Sequence, residues 1–352
     1  MKSYNSSIVT KQGLKQLIEN ILAHKYRLLA PKKSGEQLSF ETILRAEEVV
    51  LNQLLRTMTT LSPKEVFFPR TEPVLRYTGQ EMHDVEPPTP ETVLFGIRPC
   101  DARGLELLDK VFTWDYNDKF YLKRREATTI VTFACSDQAS VDEHCFCLGV
   151  GGDPTASSGS DLLLSTNGDD AFLLEVITEK GERLLNSCKE GVELQASDKR
   201  AADQLEAIKD RFVRKQDLTE VRHKMPEYFD SDQLVQETYR CLGCGICAMS
   251  CPTCHCFDIV DEPKAGTLGE GARVKNWDAC SFALFTKHAG GHNPRELQCQ
   301  RCRQRYFHKL AYYPQKFSEE SLCVGCGRCS RSCPVGLDIY QAVTHVLGKG
   351  RA

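Results

Sequence analysis

The sequence predicts an α/β domain in its N-terminal half and a mainly helical domain after it, built around metal-binding thiolates. Three observations carry this. Short β-rich apolar runs alternate with a helical stretch between residues 64 and 178. Thirteen of the eighteen cysteines crowd into residues 241–333. Within that region one cysteine signature occurs twice with identical spacing.

Taken in order, residues 1–62 read as an N-terminal helical segment. Leu14, Leu17, Ile18, Ile21 and Leu22 recur at helical spacing, and so do Ile43, Val49, Val50, Leu54 and Leu55. Residues 63–190 form the expected α/β domain. Its strands are Val93–Ile97, Thr129–Phe133, Leu162–Leu164 and Phe172–Val176, with a helix over Ala102–Val111. The Gly/Ser-rich stretch from Gly149 to Ser160 lacks the order of a P-loop or a GxGxxG turn, and reads as a flexible loop rather than a phosphate cradle. Residues 191–238, rich in charge and poor in turn formers, are expected to be a helical connector. Residues 239–352 hold the repeated signature and form the last domain.

Composition narrows the class. Hydrophobic residues make up 41% and charged residues 26%, ordinary for a globular protein. A net charge of −3 gives no electrostatic reason to bind nucleic acid or a membrane surface. No apolar run approaches the roughly 18 residues of a membrane span, and the N-terminus carries no secretory or twin-arginine pattern. The expectation is a cytoplasmic protein whose cysteines act as thiolates rather than as disulfides.

The first signature is Cys241-LG-Cys244-GI-Cys247-AMS-Cys251-Pro252, and the second is Cys323-VG-Cys326-GR-Cys329-SRS-Cys333-Pro334. Both read C-x2-C-x2-C-x3-C-P, the spacing of bacterial two-cluster ferredoxins. Three closely spaced thiolates wrap three corners of one cubane. The displaced fourth, followed by a proline that stops the local turn, reaches the other cubane. One [4Fe–4S] cluster is therefore expected on Cys241, Cys244, Cys247 and Cys333, and its partner on Cys323, Cys326, Cys329 and Cys251. Gly243, Gly245, Gly325 and Gly327 let backbone N–H groups approach the sulfurs and set the potential. Zinc prefers two pairs of ligands, which neither copy offers.

A second set, Cys100, Cys135, Cys145 and Cys147, lies in the α/β region. Cys100 and Cys135 follow strands whose C-terminal ends share one sheet edge, so the four thiolates are candidates for a third iron–sulfur cluster, [2Fe–2S] or [4Fe–4S]. Four buried free thiols is the plainer reading and has the edge. Cys254, Cys256 and Cys280 are expected to pack beneath or tune the clusters in preference to holding a further metal, and Cys188 to be inert. His288 and His292 read as a structural turn before a proton or metal site. Arg295, Arg301, Arg303, Arg305 and Lys309 form a basic stretch, equally readable as a solvated face or as cations raising the potential of anionic clusters. Trp277 and Phe282 read as core.

The signatures lie further apart than in a small ferredoxin, with 72 residues from Cys251 to Cys323. This spacing resembles the α-helical ferredoxin arrangement of succinate dehydrogenase-type subunits. The fold class is thus an α/β N-terminal domain followed by an α-helical ferredoxin-like domain with two [4Fe–4S] clusters. Several segments carry a closer resemblance: FGIRPCDARGLELLDKVF at 95–112, Cys135 to Gly152 with CFCLGVGG, Asp161–Gly181, CPTCHCFDIVDEP at 251–263, WDACSF at 277–282, HAGGHNPR at 288–295 and CVGCGRC at 323–329. The chain resembles the 4Fe-4S dicluster family that includes the A subunit of anaerobic sulfite reductase and the beta subunit of sulfhydrogenase-type nickel–iron hydrogenases, with wording closer to the hydrogenase type. Cys299 and Cys302 depart from that pattern and read as neutral thiols rather than a local pair or metal contact.

The resemblance implies an electron-transfer subunit between a flavin subunit that handles NAD(P)H, with FAD and NAD(P) bound there, and a terminal hydrogenase or reductase. No catalytic residues of its own are expected, in keeping with the absence of a Ser/His/Asp order, nucleophile elbow or dinucleotide fingerprint. The competing readings are a catalytic reductase subunit with a redox site in the α/β domain, a sulfite-reductase-type subunit, and a free ferredoxin. The long N-terminal region argues against the last.

Overall fold

The computed structural model describes residues 6–35, 37–51, 57–136, 140–317, 320–346 and 348. Twelve strands build two sheets among the described residues. The strands are β1 Ser6–Thr10, β2 Arg27–Ser34, β3 Gln37–Thr42, β4 Thr71–Thr78, β5 Glu81–Asp84, β6 Thr92–Ile97, β7 Thr128–Phe133, β8 Leu162–Thr166, β9 Ala171–Val176, β10 Gln195–Ser197, β11 Phe257–Pro263 and β12 Glu270–Trp277. The helices of seven residues or more are α1 Lys11–Ala23, α2 Pro99–Phe112, α3 Lys119–Glu126, α4 Glu179–Cys188, α5 Asp232–Thr238, α6 Gln298–Phe307 and α7 Ile339–Val346. Shorter helical turns link them.

The larger sheet runs β10-β1-β9-β8-β7-β6-β2-β3. Its centre, β2, β6, β7 and β8, is parallel, and its flanks are antiparallel. Every residue of β6 and β7 is buried, which is why these strands read as continuous apolar runs rather than alternating ones. On one face, Val93, Phe95, Val131 and Phe133 meet Leu14, Leu17, Ile18 and Ile21 of α1 and Leu184 and Leu185 of α4. Each such buried aliphatic side chain stabilises the fold by about 1.5–3 kcal/mol relative to exposure. On the other face, Leu94, Ile97 and Ile130 meet Ala102, Leu105, Leu108 and Phe112 of α2 and Tyr121 of α3. The β6–β7 register slips between Phe95 and Ile97, at Gly96 with φ +86°, and this bulge turns the end of β6 into α2.

Among the described residues, the helical expectation for 1–62 holds chiefly for α1. Its stripe is anchored at the start by Thr10, whose hydroxyl accepts from the Gly13 N–H at 3.0 Å. Residues 6–10, 27–34 and 37–42 are strands. Leu28, Leu29 and Ala30 form an apolar run too short for periodicity to separate strand from helix, and they pair in parallel with β6. Ile43 and Val49 are core residues flanking a short 3-10 turn, whereas Leu54 and Leu55 lie outside the described residues. The four strands and the helix expected between residues 92 and 176 are all present. The connector is largely short helical turns, with β10 added to the sheet edge beside β1.

The 149–160 loop packs against its neighbours. Gly149 O accepts from Leu218 N–H at 2.7 Å, and a Cβ on Gly159 would stand 2.7 Å from Ala102 O of α2. The C-terminal region departs from an all-helical design. The insert between the signatures contains the β11–β12 hairpin, which joins β4 and β5 in the second sheet, ordered β11-β12-β4-β5. Arg273 holds Asp261 across the hairpin at 2.8 and 3.0 Å. Strand β11 is exposed along nearly all its length, so no apolar periodicity announced it.

Candidate iron–sulfur centre

The two signatures fold alike. Gly243, Gly245, Gly325 and Gly327 all take positive φ, between +66° and +76°. Gly245 and Gly327 are the N-caps of the one-turn helices Ile246–Met249 and Arg328–Arg331, which pack on each other. The left-handed conformation costs an L-residue about 1–2 kcal/mol, so glycine is required by geometry here. The same turns aim backbone donors at sulfur: Gly243 N–H at Cys241, Gly325 N–H at Cys323 and Arg328 N–H at Cys326. Leu337 N–H donates to Cys333 Sγ at 3.2 Å.

Two cavities sort the eight signature cysteines. One, with about 480 Å³ of empty space, is lined by Cys241, Cys244, Cys247 and Cys333, together with Cys302 and Cys329. The other, of about 280 Å³, is lined by Cys251, Cys323, Cys326 and Cys329. Cys251 thus shares a cavity with the second signature and Cys333 with the first. All eighteen cysteines are unbridged. No three His, Cys, Asp or Glu side chains among the described residues converge on a single ion. Tetrahedral zinc with Zn–S near 2.3 Å would draw its sulfurs to within about 4 Å of one another. A cubane, with one iron at each of four corners, needs them farther apart, so the thiol donor set, which does not converge on one ion, fits iron–sulfur cubanes.

The charge around the cavities fits the same group. Arg305 is buried and lines both cavities, between the two sets of thiols. Its Nη2 donates to Cys247 O at 3.4 Å, while its Nε is buried with no hydrogen-bond partner among the protein atoms. Lys309 donates from Nζ to Thr253 Oγ1 at 2.7 Å. Burial alone would depress Lys309, but Cys251 and Cys254 pull it well above the ordinary lysine range. Burial pushes Cys323 up to about 12, so a thiolate there calls for nearby cations or iron. The basic stretch is therefore not a solvated face at Arg301, Arg305 and Lys309, all of which are buried.

Sequence reasoning missed the role of Cys302. It lines the first cavity, and its thiol donates to Cys241, which this bond first and Gly243 and Gln298 further hold down to about 5 against the cost of burial. Gln298 Nε2 lies 3.3 Å from Cys241 Sγ. The signal was present: residues 298, 302, 305 and 309 share one helical face. A five-residue π-helical turn, His308–Tyr312, follows α6 and carries Lys309. Such turns recur at functional sites. Lys64 was also unforeseen. Its buried Nζ donates to Ala248 O at 2.8 Å and Cys254 O at 2.9 Å, tying the segment before β4 to the first signature.

The other candidates fall out plainly. Cys254 hydrogen-bonds the thiolate of Cys251, and Cys280 that of Cys256, which holds Cys256 down to about 7. Cys254 packs against Cys251, which lines the second cavity. Cys188 is buried in the core against α1. His288 and His292 are exposed, with rings 5.3 Å apart, in a turn closed by His288 N–H to His292 O at 2.8 Å. Trp277 stacks on Phe68 and donates to Phe68 O at 3.0 Å, a packing role.

The signature region is joined to the α/β domain by a buried ion pair. Arg328, within the second signature and 2% exposed, grips Asp101 of α2 at 2.5 and 3.0 Å. It also donates to Thr59 O at 2.9 Å and Thr59 Oγ1 at 3.0 Å. Asp101 accepts in addition from the Arg98 N–H at 3.2 Å, capping α2. Among the described residues no helix is long and apolar enough to cross a membrane.

Comparison with known proteins agrees with this geometry. Residues 240–337 match the family described as 4Fe-4S dicluster domain. Over 342 residues the chain is 29% identical to sulfhydrogenase 2 subunit beta of Pyrococcus furiosus, covering 93% of this chain and 94% of that one. A protein of Nitratidesulfovibrio vulgaris is 28% identical over 131 residues, 33% of this chain and 34% of that one. The chain thus carries a C-terminal match to a 4Fe-4S dicluster domain behind an α/β region, and along nearly its whole length it is similar to a sulfhydrogenase beta subunit.

Proposed function

We propose that the chain is the iron–sulfur electron-transfer subunit of a hydrogenase-type complex. It relays electrons between a flavoprotein partner, which carries FAD and handles NAD(P)H, and a terminal hydrogenase subunit. One [4Fe–4S] cluster is held by Cys241, Cys244, Cys247 and Cys333, the other by Cys323, Cys326, Cys329 and Cys251. The observation that carries the reading is the sorting of these thiols into two adjoining cavities, each drawing its fourth cysteine from the other signature. The hydrogenase assignment rests on the near end-to-end similarity to a sulfhydrogenase beta subunit, which favours it over a sulfite-reductase-type role.

Bound clusters would supply one-electron redox chemistry. The chain's own residues do the rest. Thiolates and backbone N–H groups at the glycine turns hold and tune each site, and Arg305 sits between the cavities, offsetting negative charge on both sides. The α/β domain, in this reading, is a docking platform for partner subunits in a reducing compartment.

The test is electron paramagnetic resonance on the anaerobically purified complex. NAD(P)H should elicit reduced [4Fe–4S] signals from this chain when the flavin subunit is present, and none from the isolated chain. NAD(P)H oxidation or hydrogen turnover by the isolated chain would overturn the reading in favour of a catalytic subunit.

A further inference from the structure

Cys100, Cys135, Cys145 and Cys147 come from three separate segments, yet the fold brings them to one place. Cys100 lies in the first turn of α2, three residues past the end of β6, and Cys135 two residues past β7. β6 and β7 are adjacent parallel strands, so both cysteines stand at the same sheet edge. The loop carrying Cys145 and Cys147 folds back over that edge. It is pinned by Phe146 N–H to Gly325 O at 2.8 Å and by Gly152 N–H to Cys147 O at 2.8 Å. The segment after it returns to Cys135, whose N–H donates to Pro154 O at 2.8 Å.

The four thiols lie within electrostatic range of one another: Cys100 of Cys135, and Cys135 of both Cys145 and Cys147. Cys100 and Cys147 line an open cavity with about 1020 Å³ of empty space, and Cys135 and Cys145 are buried. As with the eight signature cysteines, these sulfurs do not converge on a single ion.

Charged groups of both signs surround the site. Arg331 donates from Nη2 to Cys145 Sγ at 3.4 Å. Arg98 and Arg328 are buried within range of Cys135 and Cys100, and Arg103 lines the cavity. Carboxylates stand there too: Asp101, Asp142 and Asp153 near the thiols, and Glu106 and Glu320, with Lys110, on the cavity wall. Asp101 is held by Arg328 and Asp142 by Arg331. The guanidinium of Arg331, in contact with a sulfur, would offset part of the charge of an anionic all-thiolate cluster. The position is also apt, because Cys100 packs in the same cluster of side chains as Cys326.

From this placement we infer that Cys100, Cys135, Cys145 and Cys147 ligate a third iron–sulfur cluster at the edge of the α/β sheet, next to the Cys323/Cys326/Cys329/Cys251 site. The binding site stands on its own residues; only its place in a relay rests on the function proposed above. A third cluster here would extend the line of redox centres into the α/β domain, toward whichever partner docks there.

The experiment is iron and acid-labile sulfide per chain, with Mössbauer and paramagnetic resonance spectra, on the anaerobically purified full chain. Wild type should hold about ten irons for a [2Fe–2S] third centre or about twelve for a [4Fe–4S] one. Cys135→Ser and, independently, Cys145→Ser should each fall to about eight while keeping the dicluster signals, which also report that the variant is folded. The inference is overturned by about eight irons in wild type with no loss in either variant, or by one zinc per chain that these variants release. The double variant Cys244→Ser/Cys326→Ser separates this from failure of the dicluster assignment. It should retain only the two or four irons of the third site. Wild-type iron that responds to Cys135→Ser and not to the double variant would leave the third site standing and sink the dicluster one.

Discussion

Asp101→Ala should uncouple the dicluster domain from the α/β sheet. In the native fold Asp101 accepts two hydrogen bonds from Arg328, at 2.5 and 3.0 Å, and both residues are 1–2% exposed. Removing the carboxylate leaves one buried guanidinium with two donors unmet and without its paired counter-ion; the two remaining bonds, to Thr59, carry no charge. Two hydrogen bonds to a charged group are worth about 3–6 kcal/mol together, and breaking a buried ion pair by deleting one partner costs about 3–5 kcal/mol. The two routes agree on about 3–5 kcal/mol, a hundredfold or more in the folding equilibrium. The capping bond to Arg98 N–H is lost as well, adding about 1 kcal/mol. An anaerobic urea titration followed by circular dichroism measures this. Asp101→Leu/Arg328→Met should recover much of the loss, because two apolar groups leave no orphaned charge. An Asp101→Ala protein within about 1 kcal/mol of wild type would refute the reasoning, as would a double variant less stable than the single one.

Other expectations follow from the same geometry. Arg305→Gln removes a buried cation shared by both cavities, so both cluster potentials should fall. A contribution of only about 1.4 kcal/mol corresponds to about 60 mV for a one-electron couple in a redox titration, and unchanged potentials would contradict the role assigned to it. Cys302→Ala should keep the iron content while lowering the potential of the Cys241 cluster alone, since it deletes a donor to that sulfur; loss of iron would instead make Cys302 a ligand. Gly325→Ala forces a left-handed φ of +66° on an L-residue and drives its Cβ to 2.5 Å from Cys147 Cα. It should cost well over the about 1–2 kcal/mol of backbone strain alone and abolish the paramagnetic signal of the Cys323 cluster; a wild-type signal would be fatal to that geometry. Burial holds His255 down to about 4 and His308 to about 3, so both rings are neutral when folded. The unfolded chain titrates near 6.5 and binds the extra protons, so stability is full above about pH 6.5 and falls from there toward pH 4, by up to about 1.4 kcal/mol per pH unit for each ring. His255→Gln/His308→Gln should flatten that slope in urea titrations across the range; an unchanged slope would contradict it.

Much of the site was legible because its chemistry depends on spacing. Two signatures with the same intervals led to the proposed eight ligands and the exchange of Cys251 and Cys333; the cavities set Cys333 beside the first signature and Cys251 beside the second, with Cys329 lining both. The parallel strands were legible because full burial leaves continuous apolar runs. Strand β2 was not, because Leu28, Leu29 and Ala30 are too short a run to show a period. The β11–β12 hairpin was hidden by an acidic, exposed strand held by partners elsewhere in the chain. Contacts between distant segments stayed out of reach altogether: Lys64 with Cys254 spans 190 residues and Arg328 with Asp101 spans 227. The helical face of Gln298, Cys302, Arg305 and Lys309 was readable, and was missed because the basic residues were taken as a run instead of being sorted by the 3.6-residue period.

The exchange of fourth ligands between the two signatures is tested most directly by comparing four single variants of the anaerobically purified, dithionite-reduced chain by paramagnetic resonance. Cys244→Ser and Cys333→Ser should alter one and the same [4Fe–4S] signal, while Cys251→Ser and Cys326→Ser alter the other. A Cys251→Ser spectrum that matches Cys244→Ser, or a wild-type protein with no iron–sulfur signal at all, would contradict the arrangement.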